Sequence, residues 1–569
     1  PEVNLLNSSG ELISKSGSAI SETIELLKQG KVIALKGLGG YQLIAEAYNY
    51  RAVSLLRQRK NREEKPFAIM AKDISMADDL CEINELEKRL LCSPESPVVL
   101  LKKKKGKNEL ESAAPGNPYL GIMLPYTPLH HLILRGIDAP VIATSGNISE
   151  EPMCINETEA FKKLNKIADY FLVHNRGIIR AVDDSVARVV KGREMIIRRA
   201  RGYAPLPFQT NKKSKTFIAL GANLKNTFSM KKGNNIFVSQ HLGDLENKET
   251  EDYLRKTIKD FTDIYNIEPD YIIHDLHPEY ATTGIAKEFN KETISVQHHY
   301  AHAAACYYEN QVQGNCLSVC WDGTGYGTDG TIWGGEFLLY DGKEIKPAAQ
   351  FKQFTIPGGG QAIKDIKRSA AGILFDIYGE NTLRKIKRLN FIPDADNIIT
   401  FLQLLEKNIN CFKTSSAGRL IDAVSFLLKA SSYSHFEGEA AMQLEFLAAP
   451  GIKDSYPFHI NKNEILIIDW HPVIENLLVD IKEEVPPGNI SAKFHNTLLN
   501  IITTAALIIN EKKVILTGGC FQNMYLLNGA IDKLKEKNFN PYWHQRIPTN
   551  DGGISFGQAA YAAAILDNS

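Results

Sequence analysis

The sequence predicts two α/β domains separated by a short polar linker. Over residues 22–201, short apolar runs of β type such as Val32–Leu35 alternate with segments of helical spacing such as Tyr50–Arg59. The next stretch, 202–214, is polar and contains two prolines, which is typical of a linker, although a long loop would have the same composition. A second α/β pattern begins after Thr216, so we expect a domain boundary there.

The second half of the chain contains two strand–turn–strand segments, each followed by helical sequence. The first spans Phe217–Met230, and the second runs from Leu317 to Leu339 around a glycine-rich turn. Two such halves facing one cleft form the two-lobed actin-like (RNase H-like/ASKHA) ATPase fold. The pattern therefore favours a nucleotide-binding domain in this part of the chain.

Length and charge limit the classes of function. At 569 residues the chain is longer than a single hydrophobic core supports, and its hydrophobic content of 44% is that of a globular protein. Lys plus Arg and Asp plus Glu both total 66, so no overall field favours nucleic acid or an anionic membrane as a partner. Basic residues are clustered locally, which indicates a small anionic ligand, with solvated surface as the alternative. The clusters are Arg57–Lys65, Lys102–Lys107 and Lys191–Arg201.

Cysteine usage and the chain start give two further expectations. The 8 cysteines contain no Cys-x-x-Cys pair, which is typical of reduced thiols in a cytoplasmic protein. No apolar run has the length of a membrane span. Residues 1–18 are polar and lack the pattern of a first strand, so we expect them to be a linker remnant outside the first domain.

Two histidines form the best candidate for a metal site. His298 and His302 lie four residues apart in a segment with helical propensity, which places both imidazoles on one helix face and within reach of one cation. The alternative is that the pair only packs or caps the helix. His299 lies about 100° further around the helix and is a poorer ligand for the same ion. The remaining ligands should be oxygen donors at the ends of strands.

Two aspartates are candidates for those oxygen ligands. Asp322 follows the buried run Leu317–Trp321 and begins a glycine-rich turn, while Asp551 lies in a turn before a helix of small residues. Alone, each could be an ordinary Asp-Gly turn. Imidazole with carboxylate suits zinc and iron about equally, so the metal is either of the two.

Glycines near these aspartates predict a nucleotide site. Glycines at 323, 325 and 327 allow backbone amides to approach phosphate oxygens closely, whereas a plain hairpin needs fewer of them. Thr517–Asn523 follows a strand and precedes a helix, where Gly518 and Gly519 could contact a ribose or phosphate. No segment matches the Walker consensus, so a P-loop is excluded.

The first half places cations and hydroxyls near predicted strand ends. Such a group can neutralise a triphosphate, although each segment taken singly could be a basic surface or a polar turn. The residues are Lys36, Lys60, Arg62, Lys65, Ser145 and Asn147.

These motifs together resemble a known pair of domains. The segments that resemble the YrdC-like domain are Lys36–Tyr41, Lys60–Phe67, Thr144–Pro152 and Asp184–Val189. Those that resemble the TsaD-like carbamoyl-transfer domain are His298–His302, Asp322–Glu336, Pro357–Gly360, Ser415–Asp422, Glu437–Glu445, Thr517–Asn523 and Asn550–Gln558. The domain order, together with Glu437–Glu445, resembles the carbamoyltransferase HypF family of nickel–iron hydrogenase maturation factors.

The resemblance implies an ATP-dependent carbamoyltransferase. Its YrdC-like domain would form carbamoyl-adenylate and pyrophosphate from carbamate and ATP, with Mg. Its TsaD-like domain would transfer the carbamoyl group to the C-terminal cysteine of HypE, whose thiocarboxamide is dehydrated to a cyanide ligand. The implied domains are a linker remnant at 1–18, the adenylate-forming domain at 19–205, a linker at 206–215 and the transfer domain at 216–569.

The resemblance also assigns residues. Metal binding and catalysis are implied for His298, His302, Asp322 and Asp551. Nucleotide contacts in the second domain are implied for Gly323, Thr324, Gly325, Gly327, Gly518, Gly519 and Asn523. The adenylate-forming pocket is implied for Lys60, Arg62, Lys65, Ser145 and Asn147, near the Lys36 segment.

The sequence departs from the family in one respect. Members also carry an N-terminal acylphosphatase domain and Cys-x-x-Cys zinc fingers, and these 569 residues contain neither. Because the acylphosphatase step supplies carbamate from carbamoyl phosphate, we expect these residues alone to use carbamoyl phosphate poorly but still to use carbamate.

Three other functions compete with this interpretation. An O-carbamoyltransferase acting on a small-molecule hydroxyl would carry the two domains in the opposite order. Threonylcarbamoyl transfer to tRNA uses the two domain types as separate proteins, and zero net charge disfavours an RNA substrate. A non-catalytic nucleotide-dependent scaffold would have no need of a histidine pair beside two acidic glycine turns.

Overall fold

The computed structural model describes residues 2–62, 64–106, 109–148, 151–210, 215–389 and 395–566. The predicted linker therefore lies partly outside the described residues, at 211–214, as do Lys107 and Ser149 of two predicted segments. Strands and helices alternate throughout, which confirms the α/β class.

Twenty-seven strands are present in the described residues. They are β1 (Val3–Asn7), β2 (Leu12–Lys15), β3 (Ile33–Lys36), β4 (Tyr41–Glu46), β5 (Ala68–Met70), β6 (Cys81–Glu82), β7 (Val98–Lys103), β8 (Tyr119–Met123), β9 (Val141–Ser145), β10 (Tyr170–His174), β11 (Val186–Val190), β12 (Arg193–Arg198), β13 (Phe208–Gln209), β14 (Phe217–Ala219), β15 (Ser229–Lys232), β16 (Asn235–Val238), β17 (Tyr271–Asp275), β18 (Glu292–Val296), β19 (Cys316–Tyr326), β20 (Ile332–Tyr340), β21 (Ile345–Phe351), β22 (Phe354–Pro357), β23 (Cys411–Thr414), β24 (His459–Lys462), β25 (Leu466–Asp469), β26 (Lys513–Thr517) and β27 (Asn540–Trp543).

The same residues form eighteen α-helices. They are α1 (Ser16–Lys28), α2 (Tyr50–Arg59), α3 (Ile74–Leu80), α4 (Glu85–Leu91), α5 (Pro128–Ile137), α6 (Glu157–Leu164), α7 (Lys248–Tyr265), α8 (Ala281–Glu288), α9 (His298–Glu309), α10 (Lys367–Tyr378), α11 (Thr382–Leu389), α12 (Ala395–Glu406), α13 (Ala417–Leu427), α14 (Glu439–Leu447), α15 (His471–Lys482), α16 (Pro487–Ile509), α17 (Met524–Glu536) and α18 (Ile554–Leu566). None of these helices is long and apolar enough to cross a membrane.

The chain divides into two compact units. Unit 1 comprises residues 1–209, 223–229 and 235–268, and unit 2 comprises 210–222, 230–234 and 269–569. Unit 1 thus includes two segments that the sequence assigned to the second domain, because packing across long sequence distances cannot be read from local patterns. The domain boundaries at 19–205, 206–215 and 216–569 stay predictions.

Unit 1 contains a large mixed sheet with helices on both faces. The strand order of the main path is β12-β11-β7-β8-β5-β9-β4-β3-β10-β1-β2, with β6 beside β7. Along β3 and the residue before it, Val32 and Ala34 face one apolar core while Ile33 and Leu35 face the other, as the period of two in a strand requires. Because both faces are covered, β3 has a continuous apolar sequence.

The first strand of this sheet corrects one expectation. Residues 1–18 were expected to lie outside the first domain, but β1 pairs antiparallel with β10, and β2 pairs with β1. Val3 and Leu5 alternate with more exposed neighbours and are buried. This alternation spans only five residues, so it is too short to stand out against the polar residues that follow.

Unit 2 contains strands of two sheets. In the first, β17 pairs parallel with both β14 and β18. The second has the path β24-β25-β21-β20-β19-β26-β27, with β22 and β23 attached. Strand β19 pairs antiparallel with β20 along its length and parallel with β26 over Leu317–Cys320, so the part of β19 just before Asp322 has neighbours on both sides.

The position of Asp322 in β19 differs from the expectation. The sequence placed Asp322 at the end of a strand, but β19 continues to Tyr326. The pairing with β20 shifts register between Trp321 and Gly325, so Asp322 lies in an irregular part of the strand. Such an irregularity redirects side chains locally, as a strand end would.

Helices α9 and α18 approach each other very closely. A Cβ atom added at Gly557 of α18 would lie 1.9 Å from the carbonyl oxygen of Ala301 in α9. Only glycine allows this separation, so the backbones of α9 and α18 are in direct contact at this point.

We predict that Gly557→Ala destabilises unit 2 by about 1–3 kcal/mol, because the added methyl must push α18 away from α9. Thermal unfolding followed by circular dichroism measures the effect. The matched control is Gly284→Ala in α8, where an added Cβ meets nothing within 4 Å, so this change should leave stability unchanged or raise it slightly. Equal melting temperatures for the Gly557 variant and the wild type would contradict the prediction.

Candidate functional site

Helix α9 begins at the histidine pair. The side chain of Gln297 caps its first turn by accepting a hydrogen bond from the Tyr300 N–H at 3.0 Å, and alanines fill much of the following sequence. His298 and His302 are both completely buried. The predicted helix with both imidazoles on one face is thus present.

The structure brings the four predicted ligands to one point in unit 2. The candidate ligand atoms of His298, His302, Asp322 and Asp551 all lie within 4.8 Å of one another. Nε2 of His298 is 3.5 Å from Asp322 Oδ2 and 3.5 Å from Asp551 Oδ1. Nε2 of His302 is 3.3 Å from Asp322 Oδ2 and 3.8 Å from Asp551 Oδ1. We call these four side chains the His/Asp cluster.

The His/Asp cluster fits a transition-metal ion. Four ligands at about 2.0–2.1 Å from a tetrahedrally bound ion lie roughly 3.3 Å from each other, close to the spacings observed here. Nε2 of His298 is buried and has no hydrogen-bond partner in the described residues. A buried nitrogen that faces two carboxylates at 3.5 Å without a hydrogen bond is a suitable metal ligand.

The pKa values in the His/Asp cluster show that its imidazoles and carboxylates stabilise each other's charged forms. Burial alone would lower the pKa of His298, but the carboxylates of Asp551 and Asp275 outweigh it and raise that pKa well above its usual value. Burial would likewise raise the pKa of Asp322, yet the neighbouring imidazoles of His298 and His302 hold it well below its usual value. The two carboxylates thus create a strong preference for a cation at this point.

His299 takes no part in the His/Asp cluster. Its Nε2 lies 4.0 Å from Glu336 Oε2, on another side of α9. Burial, together with neighbouring His298, lowers the pKa of His299 well below its usual value. Burial raises the pKa of Glu336 to about 8, although hydrogen bonds from Ser415, Gly334 and Gly335 oppose this. The expectation that His299 is a poorer ligand for the same ion agrees with this geometry.

The glycine turn after β26 approaches the His/Asp cluster. The Gly519 N–H donates a hydrogen bond to Asp322 Oδ1 at 3.1 Å, and a Cβ at Gly519 would lie 2.7 Å from the same oxygen. Gly518 has a φ of 99°, and a Cβ there would lie 2.2 Å from the carbonyl oxygen of Trp321. These glycines therefore allow the end of β26 to pack directly against Asp322.

The remaining residues predicted to bind nucleotide lie in different surroundings. Gly323 and Thr324 are partly exposed beside Asp322. A Cβ at Gly325 would lie 2.4 Å from the His299 ring, and one at Gly327 would lie 2.2 Å from the Trp333 indole nitrogen. These two glycines are thus needed by the protein's own side chains, and a nucleotide role for them stays a prediction.

Asn523 is engaged within the protein. Its Oδ1 accepts a hydrogen bond from the Leu526 N–H at 2.9 Å and caps α17, while its Nδ2 donates to His495 Nε2 at 3.0 Å. The amide therefore holds the turn after β26 against α16. Its predicted contact with nucleotide is untested.

Sequence reasoning missed two charged residues of this region. Asp275 ends β17 and lies 2.8 Å from Nδ1 of His298 through its Oδ2. Arg419, in the first turn of α13, pairs with Asp422 at 2.8 Å, and its Nη2 would be 3.3 Å from a Cβ at Gly323. Nothing in β17 reveals the contact of Asp275, since His298 lies 23 residues away. Arg419 lies in the predicted segment Ser415–Asp422, but the segment alone does not show that its guanidinium approaches Gly323.

In unit 1, the structure brings most of the predicted cations and hydroxyls together. Lys60 Nζ donates to the carbonyl oxygen of Ser145 and, at 2.9 Å, to Asn147 Oδ1. Arg62 Nη1 donates to Thr144 Oγ1 at 3.3 Å. We call this group the cationic recess.

Lys36 has different partners. Its Nζ donates to Glu157 Oε1 at 3.1 Å and to the His174 carbonyl oxygen at 2.9 Å. The positive charge of Lys36 is thus compensated within the protein, and its predicted contact with a cofactor is untested.

The cationic recess lowers the basicity of its amines. Burial, and then the neighbouring charge of Arg62, lowers the pKa of Lys60 to about 7. Lys65 keeps contact with solvent, but the surrounding protein and the charge of Arg62 lower its pKa to about 8. His241, an imidazole elsewhere in unit 1, shows the same effect, because burial and the charge of Arg198 lower its pKa to about 4. Crowded cations with lowered pKa values are typical of sites that bind polyanions.

Models of protein families match three stretches of the chain. Residues 25–200 match the Sua5/YciO/YrdC family, which is described as telomere recombination. Residues 212–309 match the HypF Kae1-like domain. Residues 318–558 match the second subdomain of the Kae1-like domain of carbamoyltransferases.

Curated relatives and solved structures extend over the whole chain. Carbamoyltransferase HypF of Synechocystis sp. is 40% identical over 568 residues, which cover 97% of this chain and 74% of the relative. Probable carbamoyltransferase HypF of Methanocaldococcus jannaschii is 35% identical over 585 residues, covering 99% of this chain and 74% of the relative. The structure of full-length HypF in its phosphate- and nucleotide-bound form superposes with a TM-score of 0.94 at 39% identity and covers 100% of this chain and 74% of that one. HypF of T. kodakarensis superposes with a TM-score of 0.92 at 32% identity, covering 100% and 77% respectively.

A YrdC-like domain followed by Kae1-like domains, together with these relatives, defines an enzyme of the carbamoyltransferase class. The chain belongs to the carbamoyltransferase HypF family. The resemblance seen in the sequence is thereby confirmed.

The lowered pKa values predict unusual amine reactivity in unit 1. An amine acylates only when it is neutral, so reactivity should rise to half its maximum near pH 7 at Lys60 and near pH 8 at Lys65. Competitive acetylation between about pH 6 and about pH 10, quantified peptide by peptide with mass spectrometry, measures both midpoints. Midpoints above about pH 9 at both lysines would show that the recess does not disfavour their charged forms.

Proposed function

We propose that the chain makes carbamoyl-adenylate from carbamate and ATP in unit 1 and transfers the carbamoyl group at the His/Asp cluster of unit 2. The acceptor is the C-terminal cysteine of HypE, and the product serves synthesis of the cyanide ligand in hydrogenase maturation. The observation that carries the proposal is the convergence of His298, His302, Asp322 and Asp551 in a member of this family. The nucleotide in the structure of full-length HypF supports ATP as the cosubstrate.

The cationic recess suits the first reaction. A carbamate oxygen attacks the α-phosphorus of ATP, and the bond to pyrophosphate breaks, which leaves carbamoyl-adenylate. Lys60, Arg62 and Lys65 would neutralise the charge of the triphosphate and of the departing pyrophosphate, with Mg as counter-ion. Because the pKa of Lys60 is about 7, binding of the polyanion would favour its protonated form and take up a proton near neutral pH.

The His/Asp cluster suits the second reaction. The thiolate of the acceptor attacks the carbamoyl carbon, and the bond to the AMP oxygen breaks so that AMP leaves. Zinc or iron bound by the four side chains would supply a Lewis acid next to the reacting group. The side chains themselves hold the site together, since Asp322 also accepts the Gly519 N–H. Burial of all four residues restricts the access of water to a labile adenylate.

We predict that substitutions in the two units separate the two reactions. Lys60→Ala should reduce carbamate-dependent ATP–pyrophosphate exchange on the order of 100-fold, because a charge that faces the triphosphate is lost. His302→Ala should leave exchange within about twofold of wild type and abolish carbamoyl transfer, because the His/Asp cluster acts only in the second reaction. Exchange of labelled pyrophosphate and mass spectrometry of the acceptor measure the two steps.

The control for this experiment is Lys102→Ala, a change of an exposed lysine of the same unit that pairs with Glu82. It should leave both reactions unchanged. Loss of exchange in the His302 variant equal to that in the Lys60 variant would contradict the division of labour between the units.

A further inference from the structure

We propose that Asp275 is a positioning residue that presents His298 to the metal. The proposal rests on the metal centre of the proposed function and assigns to it a residue outside the four ligands. Oδ2 of Asp275 lies 2.8 Å from Nδ1 of His298, and both side chains are completely buried. Bulk solvent does not reach this contact, so the orientation of the imidazole depends on this carboxylate.

The carboxylate is itself held firmly. Its Oδ1 accepts the His277 N–H at 3.0 Å, just beyond the end of β17. The Thr283 hydroxyl lies 2.7 Å from the His277 carbonyl oxygen, which closes the turn. Strand β17 lies between β14 and β18 in its sheet, so Asp275 is fixed by strand pairing as well as by these bonds.

The contact determines which nitrogen of His298 is available. A carboxylate accepts hydrogen bonds, so Nδ1 must carry the hydrogen that it donates to Asp275. In the neutral ring Nε2 then has a free lone pair, and Nε2 is the atom 3.5 Å from Asp322 and 3.5 Å from Asp551. A carboxylate that bonds the second nitrogen of a metal-ligating histidine orients the ring and strengthens the ligand.

The two ligands of α9 differ in this respect. Nδ1 of His302 is buried and has no hydrogen-bond partner in the described residues, whereas Nδ1 of His298 has Asp275. The carbonyl oxygen of His302 instead accepts a hydrogen bond from the Thr517 hydroxyl at 3.1 Å. His302 is thus held through its backbone and His298 through its ring, so only His298 depends on a second carboxylate.

The decisive variant is Asp275→Asn in the full chain. Asparagine has nearly the same volume, and its carbonyl oxygen can still accept the His277 N–H. Its amide, however, can only donate towards Nδ1 of His298, which places the hydrogen on Nε2 and removes the lone pair needed by the metal. Affinity for Zn²⁺, measured on metal-stripped protein by competition with a chromophoric chelator, should fall by about 10–100-fold.

Two further measurements separate positioning from general damage. The metal-free Asp275→Asn protein should keep the fold of the wild type, seen as an unchanged far-ultraviolet circular dichroism spectrum, since the bond to His277 is retained. The visible spectrum of the Co²⁺-loaded protein should change, because the ligand field at the ion is altered. Asp341→Asn is the matched control, because Asp341 accepts backbone N–H groups from Lys343 and Glu344 and, among the residues that the structure describes, has no histidine partner.

The outcomes distinguish this proposal from the proposed function. Wild-type affinity and an unchanged Co²⁺ spectrum in the folded Asn variant would overturn the role of Asp275 while leaving the metal centre intact. If the Asn variant loses its fold, Asp275→Ser decides, because serine can accept the His277 N–H but cannot reach His298, and wild-type affinity there would overturn the role. Absence of Zn²⁺ binding by the wild type, equal to that of His302→Ala, would instead remove the metal centre itself.

Discussion

Two imidazoles and two carboxylates buried at one point set the main physical constraint on unit 2. Charged groups removed from water are strongly unfavourable unless they are paired and hydrogen-bonded. Asp322 satisfies this condition with His298, His302 and the Gly519 N–H. The surplus negative charge that remains, with Asp275 behind His298, favours a bound cation and explains why helix, strand and turns all meet here.

Close backbone contacts make this convergence possible. Helix α9 lies against α18 at Gly557, and the end of β26 lies against Asp322 at Gly518 and Gly519. Any larger residue at these positions would separate elements that carry ligands. A buried set of hydrogen bonds also joins β26 to α9. The Thr517 hydroxyl donates to the His302 carbonyl oxygen and lies 2.8 Å from His544 Nε2. The geometry of the ligands is therefore a property of the surrounding packing and not of α9 alone.

The sequence predicted those parts of the site that depend on local spacing. His298 and His302 are four residues apart in a helix, and the helical period places them together without any tertiary information. Asp322 and Asp551 were predicted because each is an acidic residue beside glycines, one after an apolar strand and the other in a turn before a helix, and the resemblance to a known family then implied the same role. Asp275 was missed because its partner, His298, is 23 residues away, and nothing in β17 distinguishes it from an aspartate that only caps a turn.

In the fold, too, local features were predicted from the sequence and contacts between distant segments were not. Long runs such as β3 and periodic segments such as α2 were predicted close to their observed bounds, because pattern and local propensity agree there. Strand β1 was missed, since only its pairing with β10 reveals it. Residues 235–268 were assigned by sequence order, whereas packing joins them to unit 1. Contacts between distant segments are the part of the structure that a single sequence does not display.

Anomalous diffraction from crystals of the metal-loaded protein tests the central claim most directly. Data recorded on both sides of the zinc or iron absorption edge locate the ion without reference to any assumed ligand. We predict one peak per chain, bonded to Nε2 of His298, Nε2 of His302 and the carboxylates of Asp322 and Asp551. A peak elsewhere, for example between His299 and Glu336, or no ordered peak in protein that contains stoichiometric metal, would contradict it.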